Sequence, residues 1–213
     1  MTHATAPKAT AAGKMLIRRI DAHLRKRLGI FELWDDPRSQ FRVSLGATSQ
    51  PVTIPGLSLP AGAKILDLHF WSEHALDQPA DGADAAISLK QFKLIMASFK
   101  AIGARLQTDP RLEGVQAVHA ITPLFFQEDS DAGRHMLARL GFTVVPYRNP
   151  MGAFGAFWQD LHIWLLTWAI KPEVLGRRAY FKNLWNELWF PAEAFMRKYG
   201  QKNPKRRGSA APE

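Results

Sequence analysis

Near the middle of the chain, Ile65 to His74 read ILDLHFWSEH and carry its densest set of chemical side chains. Taken as a strand, these residues alternate between two faces. Ile65, Asp67, His69, Trp71 and Glu73 share one face; Leu66, Leu68, Phe70 and Ser72 share the other. The second is core-like, whereas the first shows an acid, an imidazole, an indole and a second acid in a row. At a rise of about 3.3 Å per residue, same-face neighbours stand roughly 6.5 Å apart, close enough to hold one small group between them. Glu or His placed this way abstracts a proton near neutral pH once its surroundings tune it. The acid/base candidates are Glu73 and His69, joined by His119 from a later strand. His119 shares a face with Val115, Ala117 and Ile121, which is equally the setting of a hydrogen-bonded core histidine. No HExxH or comparable ligand spacing accompanies these groups, so no metal is expected.

The second candidate binds anions. DGADAA is the small-residue loop that leads from this strand into a helix. Helix N-termini hold phosphate through free N–H groups and the helix dipole. Asp81, Gly82, Ala83 and Ser88, with Lys90 and Lys93 in the first turns, form a candidate cofactor-binding loop. An ordinary capped loop accounts for the same residues. The chain contains no Walker-type loop and no dinucleotide fingerprint.

The elements that must position these groups follow from periodicity. Residues 1–13 are rich in Ala, Thr and Pro and read as a disordered tail. From Lys14 to Leu28 the apolar Ile17, Ile20, Leu24 and Leu28 recur at helical spacing, with Gly29 as a stop and five Arg or Lys residues largely off the stripe. That helix packs on the core or lies against anionic lipid. After the turn at Asp35-Asp36-Pro37 comes a strand around Phe41–Leu45, and VTIPGLSLPAGA suits a short strand and loop. Ser88 with Gln91 three residues on reads as a capping box opening a helix, whose buried stripe is Leu89, Phe92, Met96, Phe99, Gly103 and Leu106. Residues 115–122 form a buried strand, SDAGRHMLARLGF a helix stopped at Gly141, and TVVPY another strand. Strands alternating with helices imply an α/β fold with a mixed sheet, its core running strand, helix, strand, helix, strand.

Past Met151 the character changes. GAFGAFWQDLHIWLLTWAI is a long apolar segment ended or kinked at Lys171-Pro172, Val174–Trp189 reads as a further helix, and Pro191 opens a third that stops at Gly200. The division is thus a tail over 1–13, an α/β domain over 14–150, a helical Trp-rich extension over 151–200 and a basic tail over 201–213. Trp158, Trp164, Trp168, Trp185 and Trp189 are interleaved with basic residues that include Arg177 and Arg178. Trp at the headgroup level and Arg on anionic lipid make this a candidate membrane interface, in helices that also cap the sheet. No RNA-module motif appears, so nucleic acid is not the expected partner.

Composition bounds the rest. A 213-residue chain with 46% hydrophobic and 22% charged residues buries a real core. A formal charge of +9 and a pI near 10.0 suit an anionic partner. Cysteine is absent, which excludes disulfides, thiolate catalysis and Cys-based metal sites. The N-terminus lacks a secretory pattern, and no window of about 18 residues is apolar throughout, so a cytoplasmic protein peripheral on the inner membrane is expected.

The segments FELWDDPRSQFRVSLG, LDLHFWSEH, LARLGF and ELWFPAEAFMRKYG resemble the bacterial YkoP-like domain over roughly residues 15–200. That resemblance implies cell-envelope work, since the family occurs beside or fused to polysaccharide deacetylases. More distantly, the order strand, loop, helix, strand, helix-LGF, strand resembles the second half of a GNAT acyltransferase, where a splayed strand pair binds an acyl-CoA. The implied function is a membrane-peripheral acyltransferase acting on a lipid or glycan precursor. Acyl-CoA or acyl carrier protein would be the donor, residues 81–86 the pyrophosphate loop, and Glu73 the base with His69 assisting. The same fold without the chemistry would serve as a binding or scaffold protein of an envelope pathway. The loop departs from the family's glycine-rich spacing, and Leu137 stands where a tyrosine often precedes the LGF glycine.

Overall fold

In a computed structural model, residues 11–71, 74, 85–123, 130–170, 172, 175 and 185–200 are described. The alternation read in the central stretch sets the architecture. Strand β4 (Lys64–Phe70) buries Leu66 and Leu68 on one face and turns Asp67 and His69 to the other. On its first side it pairs antiparallel with β1 (Phe41–Ala47), and on its second it pairs parallel with β5 (Ala117–Pro123). The parallel step is bridged by α2 (Ala85–Thr108), as a crossover requires. Helix α3 (Ser130–Leu140) then leads to β6 (Thr143–Pro146). A last strand, β7 (Trp185–Pro191), inserts antiparallel between β5 and β6, giving the order β1-β4-β5-β7-β6. The hairpin of β2 (Val52–Ile54) and β3 (Leu57–Leu59) forms a separate two-stranded sheet.

On the first face α2 and α5 (Ala192–Tyr199) close the main core. Phe99, Phe142, Phe190, Phe195 and Tyr199 interlock there, and Phe195 is fully buried. Two glycines permit it. A Cβ at Gly103 would meet the backbone of Gly200 at 2.7 Å, so α2 and α5 cross in direct contact. Gly141, the glycine of LGF, has a φ of +101° and lies where a Cβ would strike the Phe190 ring.

On the second face an apolar cluster lies at one end. There β2 and β3 cover Ile65, Ala117 and Trp189 with Val52, Ile54 and Leu57. Helix α1 (Ala11–Arg27) packs against α4 (Gly152–Ile170).

Several expectations are corrected. Residues 185–189 of the expected helix Val174–Trp189 belong to β7, because WNELWFP buries Asn186, Leu188 and Phe190 on one face and Trp189 on the other, a spread of large residues that periodicity does not separate from helix. The chain past residue 150 therefore supplies a central strand and α5 to the same layers as residues 14–150. Helix α1 starts at Ala11, inside the expected tail. Ser88 is no N-cap: α2 already begins at Ala85, and the Gln91 side chain donates to Gln40 Oε1. Leu89 is 54% exposed and Phe92 36%, so the stripe of α2 is covered only from its middle onward.

Candidate functional site

Strand register lines up a row across the second face. Ser44 pairs with Asp67, Asp67 with His119, His119 with Trp189, and Trp189 with Thr143. Partners in adjacent strands share a face, so the side chains of this row are neighbours. The next position places Arg42 opposite His69.

Asp67 and His119 are bonded directly, Nδ1 of the imidazole to Oδ1 of the carboxylate. A carboxylate oxygen only accepts, so Nδ1 carries the hydrogen. In the neutral ring this leaves Nε2 with its lone pair bare. Nε2 is buried and has no partner among the described residues. The Trp189 ring lies 4.1 Å from the imidazole and tilted to it, while its own Nε1 donates to Glu187 Oε2 at 3.0 Å. Gly46 makes room for the carboxylate, since a Cβ there would stand 2.7 Å from Asp67 Oδ2.

His69 forms a second pair, its Nε2 lying 2.9 Å from Ser44 Oγ. Burial holds the His69 pKa below its ordinary 6.5; attraction to Asp67 works against this and repulsion from His119 with it. Burial thus favours the neutral ring at physiological pH. Arg42 lies 3.8 Å over the Trp71 ring, and Trp71 stacks on His74 with ring centroids 3.7 Å apart.

This row stands where β4 and β5 part. The two strands pair through Ile65–Ala117, Leu66–Val118 and Asp67–His119, and there their mutual pairing stops. Yet β4 runs on to Phe70, paired with β1, and β5 to Pro123, paired with β7. The sheet splits between two intact halves, with the Asp67–His119 pair at the vertex.

Of the acid/base candidates, His69 and His119 come together on one face, while Glu73 lies outside the described residues. So do Asp81, Gly82 and Ala83; Ser88, Lys90 and Lys93 are exposed on the first turns of α2. The tryptophans separate. Trp189 is buried at 5% exposure and belongs to the site rather than to any outer surface. Trp185 is half-buried and donates from Nε1 to the buried Asp160 at 2.9 Å. Trp164 and Trp168 are half-exposed and stacked one turn apart on α4. Trp158 is 52% exposed, beside Met151, Phe154 and Phe157, which are exposed as well. Arg177 and Arg178 lie outside the described residues.

Sequence reasoning missed Ser44, Gly46 and Trp189 as parts of the site, because strand pairing brings them there and pairing is not local. Asp67 was visible two positions before His69 on the same face. Among the described residues, no group of three His, Asp or Glu is arranged to hold a metal ion. No helix among them is long and apolar enough to cross a membrane.

No protein-family model, no curated protein and no solved structure matches the chain.

Proposed function

We propose that this chain is a membrane-peripheral, GNAT-like acyltransferase that takes an acyl thioester into the split between β4 and β5. The observation that carries the reading is the parting of those strands beyond Asp67 and His119. A parallel pair that separates toward its C-terminal ends leaves a slot where an extended ligand can lie between the strands, the usual place for ligands in such sheets. The antiparallel insertion of β7 beside β6 supports the same half-fold. The His119 imidazole at the vertex, bonded through Nδ1 to Asp67, offers the kind of proton acceptor that acyl transfer to a hydroxyl or amine needs.

The donor is acyl-CoA or acyl carrier protein. Likeness to YkoP-like domains makes a lipid or glycan precursor of the cell envelope the acceptor, reached from the cytoplasmic side. Anionic lipid is the proposed surface, supported by the exposed Phe154, Phe157 and Trp158 on α4 and by exposed Arg18, Arg19, Lys26 and Arg27 on the neighbouring α1.

Calorimetry with dodecanoyl-CoA tests the donor, and a photoactivatable acyl-CoA tests the place. Saturable heat and crosslinks within residues 68–70 or 120–122 are expected. Absence of binding by acyl-CoA and by acyl carrier protein would remove the catalytic reading and leave a scaffold of an envelope pathway.

A further inference from the structure

We infer that Asp67 and His119 form the general base of the transfer, with His119 Nε2 receiving the acceptor's proton and Asp67 as its positioning residue. This rests on the acyl-thioester reading above and replaces Glu73 in the role the family resemblance implied. Two independent observations meet at one residue. The strands part immediately beyond the Asp67–His119 pair, so the slot begins there. At that same place His119, with its side chain only 8% exposed, keeps a buried Nε2 with no partner among the described residues.

A buried polar atom is normally satisfied, and one left bare asks for a ligand that satisfies it. The surroundings fix what the ligand must be. Asp67 holds the hydrogen on Nδ1, so in the neutral ring Nε2 accepts and cannot donate. Trp189 packs against the imidazole, and its own N–H is committed to Glu187. The missing partner is therefore a donor, an O–H or N–H group. His69 does not offer the same opening, because its Nε2 is already taken by Ser44. A nucleophile, a base and a group orienting the base is the general pattern of activated acyl transfer, and here only the nucleophile comes from outside.

The step balances without any further reagent. The acceptor oxygen or nitrogen attacks the thioester carbonyl carbon and gives its proton to His119 Nε2. The tetrahedral carbon then expels sulfur, the C–S bond breaks, and the histidinium returns the proton to the departing thiolate. The products are the acylated acceptor and free thiol, with His119 neutral again.

The test uses the full chain, labelled with ¹⁵N in its imidazoles, and long-range ¹H–¹⁵N spectra assigned with His119→Gln. A thioether analogue of dodecanoyl-CoA is the bound probe, with glycerol as a small hydroxyl acceptor. The free protein should show His119 as the Nδ1–H tautomer. Adding analogue and glycerol should move the Nε2 resonance, and Asp67→Asn should mix the tautomers. With dodecanoyl-CoA itself, thiol release should fall about 100-fold or more in His119→Gln, within the range of general-base contributions. In Asp67→Asn it should fall through kcat while KM for the thioester holds. A proton found on Nε2 of the free ring, or a ring unmoved while calorimetry reports bound analogue, overturns the dyad and leaves the acyl-thioester reading standing. No thioester binding at all overturns that reading, and the dyad with it. Should His119→Gln fail to fold, the His119 signals are assigned through their proximity to the Trp189 ring, so the wild-type spectra still decide.

Discussion

Gly46 and Asp67 are fitted to each other across the β1–β4 pair: a Cβ on Gly46 would lie 2.7 Å from Oδ2 of the Asp67 carboxylate. The glycine has no left-handed φ to explain it. Its role is to leave space over β1 for Oδ2 of a carboxylate whose Oδ1 bonds His119. Gly46→Ala should push the end of a flexible side chain, not the backbone. Loss of glycine entropy in the unfolded chain offsets only part of the crowding and of the broken Asp67–His119 bond, so stability should fall by about 1–3 kcal/mol. The carboxylate should nevertheless leave Nδ1 of His119. A crystal structure of the variant, with a urea midpoint beside it, checks both parts; an undisplaced Asp67 would show that the fit has slack.

His69 gives the fold a pH dependence with a definite sign. Burial lowers its folded pKa below 6.5, opposed by Asp67 and assisted by His119. Ser44 and Arg42 of β1 are the other groups facing it. Between the lowered value and 6.5 the unfolded chain binds more protons than the folded one, so stability rises with pH across that window. Acidification from about pH 7.5 to about pH 5.5 should lower the urea midpoint. His69→Gln should flatten that decline. An unchanged slope in the variant would place the titration elsewhere.

The crossing of α2 and α5 makes a stability prediction independent of the site. Gly103→Ala drives a Cβ to 2.7 Å from the amide nitrogen of Gly200, and backbone cannot turn aside as a side chain can. The helices must separate, loosening Phe99 from Phe195 and Tyr199. Overpacking of this kind costs about 1–3 kcal/mol. Thermal unfolding measures it, and a gain in stability would show the helices are not in backbone contact.

What the sequence made legible was local. Alternation from Ile65 to Phe70 placed Leu66 and Leu68 in the core and Asp67 and His69 opposite them, as observed. The LGF glycine marked the end of α3, where its positive φ and the Phe190 ring leave no room for another residue. What stayed hidden depended on pairing. Nothing local separates WNELWF as a central strand from a helix, because Asn186, Leu188 and Phe190 are buried on one face and Trp189 on the other. With β7 misread, Trp189 could not be set beside His119, nor β5 given its second neighbour. The Asp67–His119 bond spans 52 positions and follows from register alone. Ser44 looked like any strand serine until β1 was paired with β4.

The dispersal of the tryptophans sharpens the membrane prediction. Trp189 is in the core and Trp185 is tied to Asp160, so neither serves an outer surface. What remains outside is the first half of α4, with Met151 at 65%, Phe154 at 63%, Phe157 at 50% and Trp158 at 52% exposure. Phe154 and Trp158 meet edge to face, one turn apart on one side of the helix. On α1, which packs against α4, Met15, Leu16 and Ile20 are exposed among basic residues. Each large apolar side chain withdrawn from water contributes about 1.5–3 kcal/mol, and each cation at an anionic surface about 1 kcal/mol. Three or four of the former with a few of the latter suffice for reversible binding without a spanning segment. Flotation with liposomes of rising phosphatidylglycerol content should carry the protein upward, less so at high salt. Phe154→Ser with Trp158→Ser should leave it at the bottom of the gradient with an unchanged melting temperature. Arg18→Glu with Arg19→Glu should weaken flotation mainly at low salt. If the paired serine variant still floats, α4 is not the contact. If the wild-type protein stays at the bottom under every lipid mixture, this face meets another protein or a second copy instead.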